Sequence, residues 1–381
     1  MNIAFAVVKH IALGGGIERY TAELGARLVR RGHAVRVYTM RSYGPAPRWH
    51  EGMRIVRLPC IPLTSCEKLS ASILGVLHAA LSPWADIVHL HSIAPGAMGW
   101  FARLCHKPTV LQFHGVEWQR ARWSPLGSAV LHALERCSVR VNGHFTAVSR
   151  AQCDYYRRTY GIEARYIPGG AVVEPPVEPR ELATLGLVPG HYALFAARLV
   201  REKGAHYLIE AFRRLDTRAK LVIAGDVRGA DAYRQELHRL AGGDGRIVWP
   251  GFVQGRLREE LFSHARVLVQ PSDVEGLSIG VLEAMGRGTC CLVSDIPENV
   301  EAVGADGITF RRGDVGDLAA KLGDILDGRD TDAGRGARTM ARVRDEYSWD
   351  RIADAFERYY REVAAGRGVS APRADGNTER G

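Results

Sequence analysis

Val267-Leu-Val-Gln270-Pro271-Ser-Asp-Val-Glu275-Gly-Leu-Ser-Ile-Gly-Val-Leu-Glu283-Ala-Met285 passes from a short apolar run through a proline turn into an apolar, helix-forming segment. The run at 267–270 is too short for a helix, and its β-branched residues suit a strand buried on both faces. A helix that begins near Ser278 places Glu275 on the loop and Glu283 in the second turn. Strand, turn and helix in this order form the repeating unit of a parallel sheet with helices on both faces. The unit recurs along the chain. Apolar runs at 3–8, 34–38, 55–58, 87–90, 109–113 and 144–148 are strand candidates, the first two separated by an amphipathic helix over 17–31 that Gly32 ends. The rhythm restarts at 192–196 and continues at 221–224, 247–249, 267–270 and 290–293. The fold class is therefore α/β, with two parallel-sheet domains.

A length of 381 residues exceeds one ordinary hydrophobic core and fits two domains of roughly 150–200 residues. The boundary lies at Glu174-Pro-Pro-Val-Glu-Pro-Arg180, where the density of prolines favours an extended linker. This gives a first domain over 1–173, a linker over 174–190, a second domain over 191–348, a final helix over 349–365, and a Gly/Arg-rich tail over 366–381 expected to be disordered. The apolar start meets Lys9 and His10 too early for a signal peptide. The longest apolar stretches, 73–81 and 267–269, fall short of the ~20 residues of a membrane span. Seven cysteines without a CxxC pair point to reduced thiols and a cytoplasmic setting. The net charge of +9 is uneven: residues 1–180 carry 22 Lys and Arg against 11 Asp and Glu, and the remainder 29 against 31. A basic first half fits an anionic partner there, a phospholipid surface or a phosphate-bearing molecule, although Arg-rich solvated faces give the same count.

Ligands of open parallel sheets bind beyond the carboxyl ends of strands, so motifs are weighed by whether they follow one. Gly14-Gly15-Gly16-Ile17-Glu18 follows the first strand and opens a helix, where glycine permits close approach and the N-terminus offers N–H groups to phosphate. It is not the dinucleotide fingerprint, since GxGxxG needs glycine where Arg19 stands, and tight packing also explains a glycine turn. Arg198 ends the strand that begins at 192, and Lys203-Gly204 opens a helix over 206–214. Two cations at that edge can neutralise a diphosphate, though a solvated loop would also carry them. Glu275 and Glu283 flank a glycine-rich helix start that offers carboxylates to hydroxyl groups and N–H groups to an anion. Val281, Leu282, Ala284 and Met285 leave Glu283 little polar face and argue that it is buried. Asp330-Thr331-Asp332 follows no strand and is not read as a metal site.

The order GGxE, R-x4-K and E-x7-E resembles the GT-B glycosyltransferase family 4, a group of retaining, nucleotide-sugar-dependent enzymes. His114-Gly115, Ile167-Pro168-Gly169, Ala224-Gly225-Asp226 and Ser294-Asp295-Ile296-Pro297-Glu298 agree in order, and the likeness extends from residue 1 to about 363. The resemblance implies two Rossmann-like domains facing a central cleft, the first for the acceptor and the second for a nucleotide-sugar, with the last helix packing back on the first. It implies that Arg198 and Lys203 hold the donor diphosphate. The backbone of Gly276, Leu277 and Ser278 would cradle phosphate, with Gly15 and Gly16 closing over it. Glu283 would bind the ribose hydroxyls, and Glu275 and His114 would act at the transferred sugar. Transfer with retention through an oxocarbenium-like transition state follows, with Arg198, Lys203 and helix N–H groups placed where the departing phosphate gathers charge. No metal or other cofactor is expected. Two positions depart from the family pattern: Gly169 stands where asparagine is common, and Cys290 where proline is usual.

Beside His114, Glu117-Trp118-Gln-Arg120-Ala-Arg122-Trp123 mixes rings with cations, which makes Trp118, Arg120 and Arg122 candidates for binding the acceptor. Tyr155-Tyr156-Arg157-Arg158 is a weaker patch of the same kind, and snorkelling arginines on a helix would look alike. With the basic first half, these features favour a glycan or lipid-linked acceptor and peripheral association with an anionic membrane at its inner face. Transfer of a hexose-type sugar in cell-surface polysaccharide or lipopolysaccharide biosynthesis is the reading implied. No nucleic-acid recognition module is found. The alternatives are a sugar-nucleotide epimerase or phosphorylase of the same architecture, and a catalytically silent nucleotide-sugar-binding protein. Lys203 and Lys220 are poorly placed for a phosphorylase's cofactor lysine, and the intact set Arg198, Lys203, Glu275 and Glu283 argues against a silent protein.

Overall fold

The computed structural model describes residues 1–366 apart from 13–14, 62, 64–65, 120–122 and 227–230. Gly14, Arg120, Arg122 and the tail beyond 366 lie outside the described residues. The chain forms two compact units. Unit 1 holds Met1–Gln119, Trp123–Gly169 and the C-terminal stretch from Trp349, and unit 2 holds Gly170–Ser348.

Unit 1 is built on β1 (Asn2–Val8), β2 (Ala34–Met40), β3 (Trp49–His50), β4 (Met53–Leu58), β5 (Ile87–His91), β6 (Thr109–Phe113), β7 (Phe145–Ala147) and β8 (Arg165–Tyr166). They form one sheet in the order β3-β4-β2-β1-β5-β6-β7-β8, parallel except for the β3–β4 pair. Unit 2 contains β9 (Tyr192–Ala196), β10 (Lys220–Ala224), β11 (Ile247–Gly251), β12 (Val267–Gln270), β13 (Cys290–Ser294) and β14 (Ile308–Phe310), in the all-parallel order β11-β10-β9-β12-β13-β14. The central strands are buried along almost their whole length, as their unbroken apolar sequences require. β3, β8 and β14 were not anticipated; each is two or three residues long at a sheet edge, too short to show a period.

The helix Gly16–Arg30 shows how local sequence sets an element. Glu18 lies in its first turn, Arg27 and Arg30 in its last, and each charge suits its end of the helix dipole. Against it packs the C-terminal helix Trp349–Ala364, whose Trp349, Ile352, Phe356, Tyr359, Tyr360 and Val363 form one buried stripe at helical spacing. Arg31 holds Asp354 at 2.5 Å, and Arg165 holds Glu362 at 2.6 Å. Among the described residues, no helix is long and apolar enough to cross a membrane.

The proline-rich segment read as a linker belongs to unit 2. Leu182 is buried, Glu174 pairs with Arg287 at 2.6 Å, and the N–H groups of Glu181 and Leu182 donate to Glu260 at 2.8 and 3.2 Å. Extended chain without a sheet partner must find other acceptors, and the buried Glu260 carboxylate supplies them. Desolvation opposes charge on Glu260, but the N–H groups of Arg180, Glu181 and Leu182, with the Arg256 guanidinium, hold its pKa down at about 2.

Candidate active site

In unit 2 the strand order reverses direction at β9, which pairs with β10 on one side and β12 on the other. The loops that follow β9 and β12 therefore lie side by side, at the place where open parallel sheets bind ligands. Lys203 comes from the first loop and Glu275 from the second. Lys203 Nζ meets Glu275 Oε1 at 2.5 Å, with the two side chains only 15% and 6% exposed. Gln270 Nε2 and Ser272 Oγ donate to the same oxygen at 2.9 and 2.7 Å, and among the described residues none donates to Oε2. The second loop is itself tied down, since Ser294 Oγ donates to the Ser272 carbonyl at 2.6 Å and Asn299 Nδ2 donates to Ser294 Oγ at 3.0 Å.

Two glycines allow this approach. Gly204 has φ +71°, and a Cβ there would fall on the Pro271 carbonyl, so only glycine lets the Lys203 loop lie against the Pro271–Ser272 turn. Gly225, within the Ala224-Gly225-Asp226 segment, has φ +157° and would strike the Ala197 carbonyl next to Arg198. Arg198 follows β9, half-buried, and its carbonyl accepts the Val200 N–H at 2.9 Å.

Glu283 lies in the helix Ile279–Gly286 and is 2% exposed, as its apolar neighbours predicted. Its carboxylate pairs with Arg258, whose guanidinium also lies 4.6 Å from the Phe262 ring centre. Ser278 caps this helix by accepting the Val281 N–H at 3.4 Å, so its side-chain oxygen serves its own helix. The Gly276-Leu277-Ser278 backbone leads into that helix start, whose first N–H groups have no intrahelical acceptor. Arg258, Gln270, Ser272 and Ser294 are the functional neighbours that sequence reading missed. Gln270, Ser272 and Ser294 stand in segments already singled out, and only Arg258 lies outside them.

In unit 1 the order reverses between β1 and β5. After β1, Gly15 is the N-cap of the helix Gly16–Arg30, and a Cβ on it would strike the Glu18 carboxylate. Gly16 is different: a Cβ there would meet nothing within 4 Å, so packing does not require the glycine. His114 follows β6 beside Gly115, and its Nε2 lies 3.1 Å from His91 Nδ1. Trp118 is half-buried, with its indole N–H directed to Glu135 at 3.4 Å. Tyr155, Tyr156 and Tyr160 donate to the same buried carboxylate at 2.8, 3.1 and 2.8 Å. The Tyr155-Tyr156 patch is thus the wall of a cage around Glu135, with its hydroxyls turned inward. Sequence could not place Glu135 there, because its donors come from a turn and a second helix.

Asp330 pairs with Arg335 and Asp332 with Arg338 at 2.5 Å, so arginines neutralise the two carboxylates of the Asp-Thr-Asp string. Among the described residues no group of three His, Cys, Asp or Glu could hold a metal ion, and none of the seven cysteines forms a disulfide. Arg335 reaches the Cys290 thiol at 3.7 Å, and burial raises the pKa of that thiol.

The buried histidines of unit 1 make its stability depend on pH. Burial pushes His89 down to about 3, and burial with the nearby His89, His114 and Lys68 holds His91 well below 6.5. Both are neutral when folded and take up protons once the chain unfolds. Their contribution is fully present above pH 6.5 and is lost as pH falls toward the folded values, by up to ~1.4 kcal/mol per pH unit for each histidine. Urea unfolding of unit 1 between pH 6.5 and 5 is expected to show this slope, and His89→Gln to remove one proton's share of it. A stability curve flat over that window would contradict the burial of neutral imidazoles.

The family described as glycosyl transferase 4-like domain matches residues 15–170, and the family described as glycosyl transferases group 1 matches residues 190–328. The chain is 26% identical to the D-inositol 3-phosphate glycosyltransferase of Xylanimonas cellulosilytica, over 93% of each protein. Among solved structures it resembles sucrose-phosphate synthase from Thermosynechococcus elongatus, with a TM-score of 0.83 at 22% identity over 96% of this chain and 100% of that one. Anabaena HepE in complex with UDP and glucose matches with a TM-score of 0.79 at 18% identity, over 95% of this chain and 100% of that one. The structural likenesses identify the fold as GT-B. The two family matches lie in chain order, one spanning His114 and the other Lys203, Glu275 and Glu283, and together they cover most of the sequence: the chain belongs to the group 1 glycosyltransferases, and it is a glycosyltransferase.

Proposed function

We propose that this glycosyltransferase moves a hexose-type sugar from a nucleotide-sugar to a glycan or lipid-linked acceptor, with retention at the anomeric carbon and without a metal ion. The observation that carries this reading is the convergence of Lys203, Gln270 and Ser272 on one oxygen of Glu275 at the switch point of unit 2. All three donors use Oε1, which fixes the carboxylate and leaves Oε2 for an incoming hydroxyl. Arg198, Lys203 and the helix start at Ser278 are assigned to the diphosphate. Negative charge grows on the departing phosphate as the glycosidic bond breaks, and fixed cations and N–H dipoles stabilise it without reorganising. Glu283, held by Arg258, is assigned to the ribose hydroxyls. Gly15, Gly16 and His114 of unit 1 are assigned to the same reaction, His114 at the transferred sugar. Trp118, with Arg120 and Arg122, is assigned to the acceptor.

Sequence relatives include an enzyme named for a phosphorylated inositol, and a complex of HepE contains UDP and glucose. The second supports a nucleotide-sugar donor, and the first an acceptor that carries phosphate. The basic first half of the chain favours such an acceptor presented at an anionic membrane's cytoplasmic face, in cell-surface polysaccharide or lipopolysaccharide assembly.

The test is thermal stabilisation by UDP-, GDP-, ADP- and dTDP-sugars and the bare nucleotides, all in EDTA. A ligand at ~100 times its dissociation constant adds roughly 2.7 kcal/mol and raises the melting temperature accordingly. One nucleotide class is expected to stabilise the protein with EDTA present. No shift from any of them at millimolar concentration would defeat the donor-site assignment and favour a catalytically silent protein.

A further inference from the structure

A line of hydrogen bonds within unit 1 joins the helix Gly16–Arg30 to the end of β6. Thr21 Oγ1 lies 2.8 Å from the Ile17 carbonyl oxygen and 3.2 Å from His91 Nε2, and His91 Nδ1 lies 3.1 Å from His114 Nε2. The protons on this line follow from chemistry. A carbonyl oxygen only accepts, so the single proton of the Thr21 hydroxyl goes to Ile17. The hydroxyl oxygen must then accept from His91 Nε2–H. His91 is fully buried and neutral, so that N–H is its only one, and Nδ1 presents a lone pair. His114 Nε2 is left as the donor.

We propose that His91 is the positioning residue for His114, holding it as the neutral Nε2–H tautomer in a fixed ring orientation. The packing around both rings supports this. His91 stacks on His89 at 4.5 Å, and Phe5 lies 5.4 Å from it. Tyr20 presents its edge to His91 at 6.3 Å and to His114 at 5.2 Å. His89 is anchored in turn, by Tyr360 at 2.5 Å and Gln112 at 3.1 Å.

The inference rests on the assignment of His114 to the transfer reaction. In the proposed neutral Nε2–H tautomer, Nδ1 of His114 is the acceptor of its ring, and any group that meets it brings its own proton. A sugar hydroxyl satisfies that condition and a phosphate oxygen does not, which separates the task of His114 from that of Arg198 and Lys203.

Two substitutions divide the contacts of His91. His91→Asn can place its amide oxygen where Nδ1 stood and accept from His114. His91→Gln can reach Thr21 and leaves His114 Nε2 without its acceptor. Turnover at saturating donor is expected to fall about 10- to 100-fold in His91→Gln and to stay within about threefold of wild type in His91→Asn. Side-chain ¹⁵N NMR of the ligand-free protein, with His114→Ala to assign the signals, reads the tautomer independently of turnover. It is expected to show His114 protonated on Nε2 in the wild type and in His91→Asn. Equal losses in the two variants, or a wild-type His114 protonated on Nδ1 or charged at pH 7.5, would overturn the proposal while leaving the transfer reading intact. If His114→Ala keeps full turnover, the assignment of His114 fails and the positioning role fails with it, whatever the tautomer.

Discussion

Glu275→Gln is expected to lower turnover by about 10²- to 10³-fold, the loss seen when one preorganised electrostatic group is removed. The substitution preserves shape and keeps an oxygen for Gln270 and Ser272 to donate to, so the loop after β12 stays in place. What it removes is the charge. Lys203, 15% exposed, then faces a neutral amide, and the orientation of the second oxygen is lost because the amide places an N–H₂ there or at Lys203. The melting temperature is expected to fall, so turnover is measured well below it, at saturating donor. If kcat stays within threefold of wild type, Glu275 does not act at the transferred sugar. Lost donor affinity with kcat retained would instead place Glu275 in donor binding alone.

Gly204→Ala is expected to destabilise unit 2 by about 2–4 kcal/mol. Roughly 1–2 kcal/mol comes from placing a side chain in the left-handed region, and the rest from moving the Pro271 carbonyl away from the new methyl group. Gly190 provides the comparison. Its φ is +77°, close to the +71° of Gly204, but nothing lies within 4 Å of a Cβ built there, so Gly190→Ala carries only the backbone cost. Urea unfolding of the two variants measures the difference. Equal losses would mean that the close approach of the Lys203 loop to Pro271 is not needed. Gly204→Ala is also expected to weaken nucleotide-sugar binding, because the methyl group pushes the Lys203 loop away from Glu275, whereas Gly190→Ala leaves binding unchanged.

Much of this architecture is legible in the chain. β6, β9 and β12 run over the residues that their apolar sequences predict, and the helix after Glu275 starts at the serine that caps it. Burial of Glu283 could be read from Val281, Leu282, Ala284 and Met285, since a helix whose other residues are apolar has no solvent face to give it. In sequence, Gly16 fits either packing or ligand approach, and the open space at its Cβ position removes the packing explanation. Other features left no local trace. Glu135 looks like any charged residue of an amphipathic helix, yet Trp118 and three tyrosines enclose it. Glu260 looks like an exposed partner of Arg256, yet it anchors a proline-rich segment 79 residues away. His89 and His91 alternate with apolar residues in β5 as half-exposed strand residues would, and both are fully buried.

The sequence by itself determined the longer strands, their order along the chain and the division into two α/β units, because strand, turn and helix preferences act over a few neighbouring residues. It also put Arg198, Lys203, Glu275 and Glu283 at the carboxyl ends of strands, since each follows a readable apolar run. Only the tertiary structure decided which of those ends adjoin. Pairing β9 with β12, which have two strands between them in the chain, brings Lys203 to Glu275 across 72 residues of sequence. The partner of a buried polar group depends on what the sheet order places within about 3 Å of it, and local preference carries no information about that distance.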